Sequence, residues 1–125
     1  MKELLYELLD AGGKEHHTLN SPEVSIMMGD HFWISYHNKR ADKGIKARQI
    51  FNESLRSWVK RVKYKQAEIR FTRKGFEPLT ETIIRNDKLG IIIWAEKPLG
   101  ILVHNRIIAE SYDRYFEYMW EQAKP

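Results

Sequence analysis

Five histidines, at positions 16, 17, 31, 37 and 104, are the side chains best suited to hold a metal or move a proton near neutral pH. Their spacing decides whether they can act together. His16 and His17 are adjacent, so in an extended segment they point to opposite sides. His31 and His37 lie six residues apart, which does not bring them onto one helical face. There is no HExxH helix and no cysteine, so neither a zinc-protease site nor thiol chemistry is expected. The expectation is therefore a chain without metal or cofactor.

Polar residues at the ends of predicted strands form the second group. Asn52 and Ser54 follow the alternating stretch "IKARQIF" and precede a helical pattern. The carboxyl end of a strand is a usual ligand position in α/β sheets, so the pair could take a small anion or a polar effector. Asn20 and Ser21 stand equivalently after an earlier extended stretch and would share that rim. Helix capping explains the same residue types without any ligand.

The elements that position these residues can be read from periodicity. "KELLYELLDAGG" is a short amphipathic helix stopped by Gly12 and Gly13, and "KEHHTLNS" is extended. A helix is expected over 21–44, with Ser21 as its cap, Pro22 in its first turn and Gly29 as a weak point. Strand 45–51 leads to a helix capped by Asn52. Its inner face is Leu55, Trp58, Val59 and Val62, and Arg56, Lys60 and Lys63 share the opposite side. "AEIRF" is a further strand, and "TRKGFEPL" is an irregular connection marked by Gly75 and Pro78. Strands follow near 80–86, 89–95 and 99–104. The run Ile91–Trp94 is apolar on both faces, which predicts a central, doubly covered strand. Asn105 caps a last helix whose predicted stripe is Ile108, Tyr112, Tyr115, Phe116, Met119 and Ala123. Alternation followed by a meander implies an α/β fold: a mixed β-sheet with helices on both faces.

The 125 residues suit a single domain, residues 1–125. No apolar run approaches the roughly 20 residues of a membrane span, and the first residues lack a secretory pattern, so the expected setting is cytoplasmic. Charge is lopsided. Residues 36–74 hold 13 Lys or Arg against three acids, while the whole chain is only +4. Such asymmetry can mark a nucleic-acid surface or a partner of opposite charge, and it can also simply solvate outer helices.

Four stretches together carry a resemblance: "GIKARQIFNES", "AEIRFTRKGFEP", "NDKLGIIIWAEKPLGILVHN" and "IAESYDRYFEYMW". They resemble the C-terminal effector domain of archaeal TrmB-like transcriptional regulators. The likeness is strong from Gly44 onward and weaker before it. It implies a phospholipase-D-like fold, here one half of a two-fold architecture, and a role in sensing or assembly. It also implies an attached winged helix that binds DNA. Effector-type elements begin almost at Met1, so no winged-helix domain is expected in this chain. The additional structure of the longer sugar-binding members is not matched, and sugar binding is not carried over.

Active phospholipase-D-type enzymes use a His two residues before a Lys, with an Asp five beyond it. The His attacks phosphorus, the Lys neutralises phosphate oxygens and the Asp orients the assembly. Counting back from Asp87 puts Thr80 and Thr82 where His and Lys would stand, so catalysis is not expected. An ordinary turn at Asn86–Asp87 explains Asp87 without a site. His37-Asn38-Lys39 has the spacing but reaches Gly44 rather than Asp, and His104-Asn105-Arg106 reaches Ser111.

The resulting expectation is a non-catalytic regulatory domain for effector sensing and dimerisation. Candidate ligand residues are Asn20, Ser21, Asn52, Ser54, Thr80 and Thr82. The expected partner is a second copy, with full-length TrmB-like regulators as further partners and DNA reached only indirectly. The alternatives are a phosphodiesterase or nuclease remnant, and a nucleic-acid-binding module using Arg56, Lys60 and Lys63.

Overall fold

The computed structural model describes residues 1–73 and 78–125, so the connection predicted around Gly75 lies partly outside the described residues. The elements run α1 (Lys2–Leu9), β1 (Glu15–Ser21), α2 (Asp30–Asp42), β2 (Lys46–Phe51), α3 (Arg56–Val62), β3 (Ala67–Phe71), β4 (Thr80–Arg85), β5 (Lys88–Ile93), β6 (Leu99–His104) and α4 (Arg106–Gln122). Short 3-10 turns at Glu23–Met28 and Glu53–Leu55 precede α2 and α3. The strands form one sheet of order β3-β2-β1-β4-β5-β6. β1, β2 and β3 are parallel, and β4 runs antiparallel beside β1 and opens the meander. This is the expected α/β architecture, a mixed sheet with helices on both faces. No described helix is long and apolar enough to cross a membrane.

Both parallel connections step the same way along the sheet, so right-handed crossovers place α2 and α3 on one face. α1 joins them there, and a core forms from Leu5, Leu8, Trp33, Leu55, Trp58, Ile83 and Ile92, among others. α4 covers the opposite face, where Phe116 and Trp120 pack with Leu19, Ile50, Ile84 and Leu89. Strand alternation separates the two layers, since Ile83 faces the first core and Ile84 the second. α1 lies close to the sheet because Gly90 and Gly100 lack a Cβ, which would sit 2.5 Å from Leu8 Cδ1 and Leu4 Cδ1 respectively.

Two fully buried arginines tie the connections down without any carboxylate. Arg85 donates to the carbonyls of Leu8 (3.2 Å), Leu9 (3.2 Å) and Glu15 (2.7 Å), which closes the unsatisfied end of α1. Arg40 donates to the carbonyls of Ile45, Lys65 and Gln66 and to His37 Nδ1.

Several sequence expectations are corrected. The helix predicted over 21–44 is split, because Gly29 takes φ +90 and separates the 3-10 turn from α2. Ser21 ends β1 rather than capping a helix, and Pro22 flanks the turn instead. α3 stops at Val62, where Lys63 turns left-handed, so Lys63 does not continue a helical stripe with Arg56 and Lys60. β5 lies next to the edge strand rather than at the centre, and Ile93 is exposed. Of the stripe expected on α4, Phe116 is buried and Tyr112, Met119 and Ala123 pack against the second core, whereas Ile108 and Tyr115 face outward and Ala109 and Trp120 complete the buried face. Polar contacts flank this face: Asp113 meets His17 Nδ1 at 2.5 Å, and Glu117 takes both Arg48 amino groups at 2.7 and 2.8 Å.

Candidate ligand site at the carboxyl ends of β1 and β2

β1 and β2 end side by side. The Asn52 amide donates to the Ser21 carbonyl at 2.9 Å, and Asn52 Nδ2 donates to Ser54 Oγ at 3.0 Å. The ladder slips between Thr18 and Ser21, and Asn20 takes φ +62 there. That slip leaves the buried Asn20 Oδ1 without a hydrogen-bond partner. Four of the expected ligand residues, Asn20, Ser21, Asn52 and Ser54, therefore do meet at one rim.

Ser21 alone of these four also reaches a second site, built on a residue that sequence reasoning passed over. Glu81 lies between Thr80 and Thr82 and turns to the other side of β4, toward α2 and α3. Ser21 Oγ donates to its Oε2 at 2.9 Å and Trp94 Nε1 to its Oε1 at 2.8 Å. Glu81 is 5% exposed, and among the described residues no Lys or Arg pairs with it. Burial pushes its carboxyl up to about 7, against the opposing pull of the Trp94 and Ser21 bonds.

A cavity of about 10 Å³ adjoins this carboxyl, room for about one water-sized group. Its wall combines Ser21, Ser25, Gln49 and Glu81 with rings from Trp33, His37, Phe51, Trp58 and Tyr64. Gln49 is 2% exposed, and its Oε1 has no hydrogen-bond partner. Burial, with Arg40 adding to it, holds His37 neutral. Arg40 Nε donates to His37 Nδ1 at 3.0 Å, so the ring hydrogen belongs on Nε2. Burial also raises the Tyr64 hydroxyl, which keeps it a neutral phenol.

Thr80 and Thr82 do not join this rim. Thr82 pairs with Ile91 on the α4 face, and Thr80 is exposed beside Ile93. Asp87 sits in the β4–β5 turn, at the far end of a strand roughly 17 Å long, and accepts from His104 Nε2 at 2.8 Å. Thr80, Thr82 and Asp87 are therefore not gathered at one point. The polar entrance of β4 has another physical explanation: Thr80 meets solvent and Glu81 enters the cavity. In the basic segment, Arg56 is held by Glu53 at 2.7 and 2.8 Å and lies over the Phe71 ring, while Lys60 and Lys63 are exposed.

One sequence signal could have located Glu81. It is the lone acid in the strand "TETIIR", with the opposite parity to the two Thr residues. Gln49 in "KARQIF" is a second buried polar residue on the same face of the sheet, on β2, with β1 between it and β4.

No known protein family matches the chain, and no curated protein matches it. Among solved structures, that of TrmBL2, an archaeal chromatin protein described as showing a novel mode of DNA binding, superposes with a TM-score of 0.67. The match covers 98% of this chain and 48% of that chain at 14% identity. The likeness is one of fold, and this chain spans about half the length of that protein.

Proposed function

We propose that this chain is a non-catalytic regulatory module of the TrmB-like kind, which senses a small ligand at the β1–β2 rim and acts by pairing with a second copy. One observation carries the pairing: an apolar corner on the α4 face of the sheet that α4 leaves uncovered. α4 runs away from that corner toward β3, where Arg70 donates to the Trp120 carbonyl and Lys124 pairs with Phe71. Left open are Leu99 (58% exposed), Ile101 (46%) and Ile93 (38%), which are neighbours across β5 and β6, with Ile108 (39%) and Tyr115 (60%) on α4. β6 is also an edge strand, so its outer backbone groups can pair with a two-fold-related β6. Trp94 takes no part in this corner, being buried against Glu81.

Light scattering after size exclusion tests the pairing. The expected result is a mass of two chains, reverting to 14.9 kDa in Ile101→Lys. A single-chain mass for the parent protein up to millimolar concentration overturns it. The non-catalytic reading rests on the residues themselves. His37 is engaged by Arg40 inside α2, and His104 by Asp87 at the surface. Cleavage of a model phosphodiester that is lost in His37→Ala or His104→Ala would contradict it.

Direct DNA contact is a second reading, favoured by TrmBL2's described DNA binding and by the exposed Lys60 and Lys63. It requires binding that weakens steeply with salt and with charge removal at those lysines. No complex with duplex DNA at low salt rejects it.

A further inference from the structure

We propose that the cavity beside Glu81 binds an ammonium group, either the free ion or the head of a primary alkylamine. This rests on the sensing role proposed above and names the chemistry of its ligand. Glu81 is a buried carboxyl whose two bonds come from neutral donors, Ser21 Oγ and Trp94 Nε1. A buried acid ordinarily sits beside a cation, and none of the described side chains provides one here. Gln49 supplies an independent sign. Gln49, whose Oε1 is buried and without a partner, lines the same cavity. Once Glu81 has given up its proton, a ligand that brings hydrogens and positive charge suits this space.

Size and wall chemistry narrow the class. About 10 Å³ admits one water-sized centre. An alkaline-earth ion asks for six or more oxygens, whereas the cavity offers a carboxyl, an amide oxygen and two serine hydroxyls. Indole and phenol rings from Trp33, Trp58 and Tyr64 complete the enclosure, surroundings that suit a nitrogen cation. An ammonium group donates to Glu81 while its charge compensates the carboxylate, whereas a water molecule supplies hydrogens and leaves that charge in place.

The full chain is titrated with ammonium chloride, methylammonium chloride, sodium chloride and potassium chloride at one constant ionic strength. Tryptophan emission and the thermal midpoint are followed. The expected result is a saturable emission change and a raised midpoint with ammonium and not with sodium or potassium. Methylammonium acting as strongly as ammonium identifies an alkylamine head, and a weaker methylammonium response identifies the free ion. In both Glu81→Gln and Gln49→Met the half-saturating concentration should rise at least tenfold. Both variants must still show a cooperative melt. Where one does not, the other decides, together with the parent protein's selectivity. The proposal is overturned by equal responses to all four salts, by no response to either nitrogen cation, or by an undiminished response in Glu81→Gln. Light scattering on the same samples separates the two proposals. A dimer that ignores ammonium refutes the ligand and leaves association standing, and a monomer that binds it does the reverse.

Discussion

Replacing Glu81 with Gln removes the charge of a buried carboxyl and keeps its shape and its hydrogen-bonding capacity. In the folded protein burial lifts this group to about 7 from an ordinary value of 4.5. A group raised on folding contributes stability that is present below its unfolded value and lost as pH rises through the folded one. Here that window is about pH 4.5 to 7. The difference between the two values corresponds to about 3 kcal/mol, which the parent protein forfeits above pH 7 relative to pH 4. The substituted amide does not titrate, and it can still accept from Trp94 and exchange a hydrogen bond with Ser21. Glu81→Gln should therefore match the parent within about 1 kcal/mol at pH 4.5 and exceed it by about 2–3 kcal/mol at pH 8.5. Urea titrations in sodium buffer at four pH values, followed by tryptophan emission, measure the gap. His16 and His37 titrate in both proteins, so their contribution cancels in the difference. A gap that stays constant across pH would refute the burial argument.

Other outcomes follow from the same geometry. Burial holds His16 and His37 well below their ordinary value, with His37 and Arg40 adding to the effect at His16, and Arg40 at His37. The stability they provide is present above pH 6.5 and lost as pH falls below it, so in the Glu81→Gln background, where the opposing Glu81 contribution is absent, the urea midpoint should drop between pH 6.5 and 5. His16→Gln should flatten that drop, and an unchanged profile would count against it. Arg85→Met should cost about 3 kcal/mol by equilibrium unfolding, because the buried carbonyls of Leu8, Leu9 and Glu15 lose their donor. A cost under about 1 kcal/mol would mean that water replaces it. Gly90→Ala places a methyl against Leu8 and should destabilise by about 1–3 kcal/mol, measured in the same way.

Much of the fold was legible in the sequence because it is local. α1 ends near its two glycines, and α4 begins at Asn105, whose Oδ1 accepts from the Ile108 amide at 3.0 Å as a cap should. The strands at 46–51, 67–71 and 99–104 follow from alternation that any neighbour must respect. Asn20, Ser21, Asn52 and Ser54 could be placed at strand ends, and parallel pairing then brings strand ends together at one edge of a sheet.

The remainder depended on partners far away in the chain. Nothing near Ile93 announces that α4 will leave β5 and β6 half-covered. Along its course Phe116 and Trp120 pack on the sheet while Asp113 meets His17 and Glu117 meets Arg48, across separations of 96 and 69 residues. The same holds for the site. Thr80, Glu81 and Thr82 are equally polar as text, and only the pairing of β4 against β1 and β5 decides which face each one meets. That register turns Thr82 toward α4 and Glu81 into the cavity under α2 and α3, 60 residues from the Ser21 hydroxyl that binds it. Periodicity records how often a side chain changes sides, whereas burial and charge depend on what the fold places on each side.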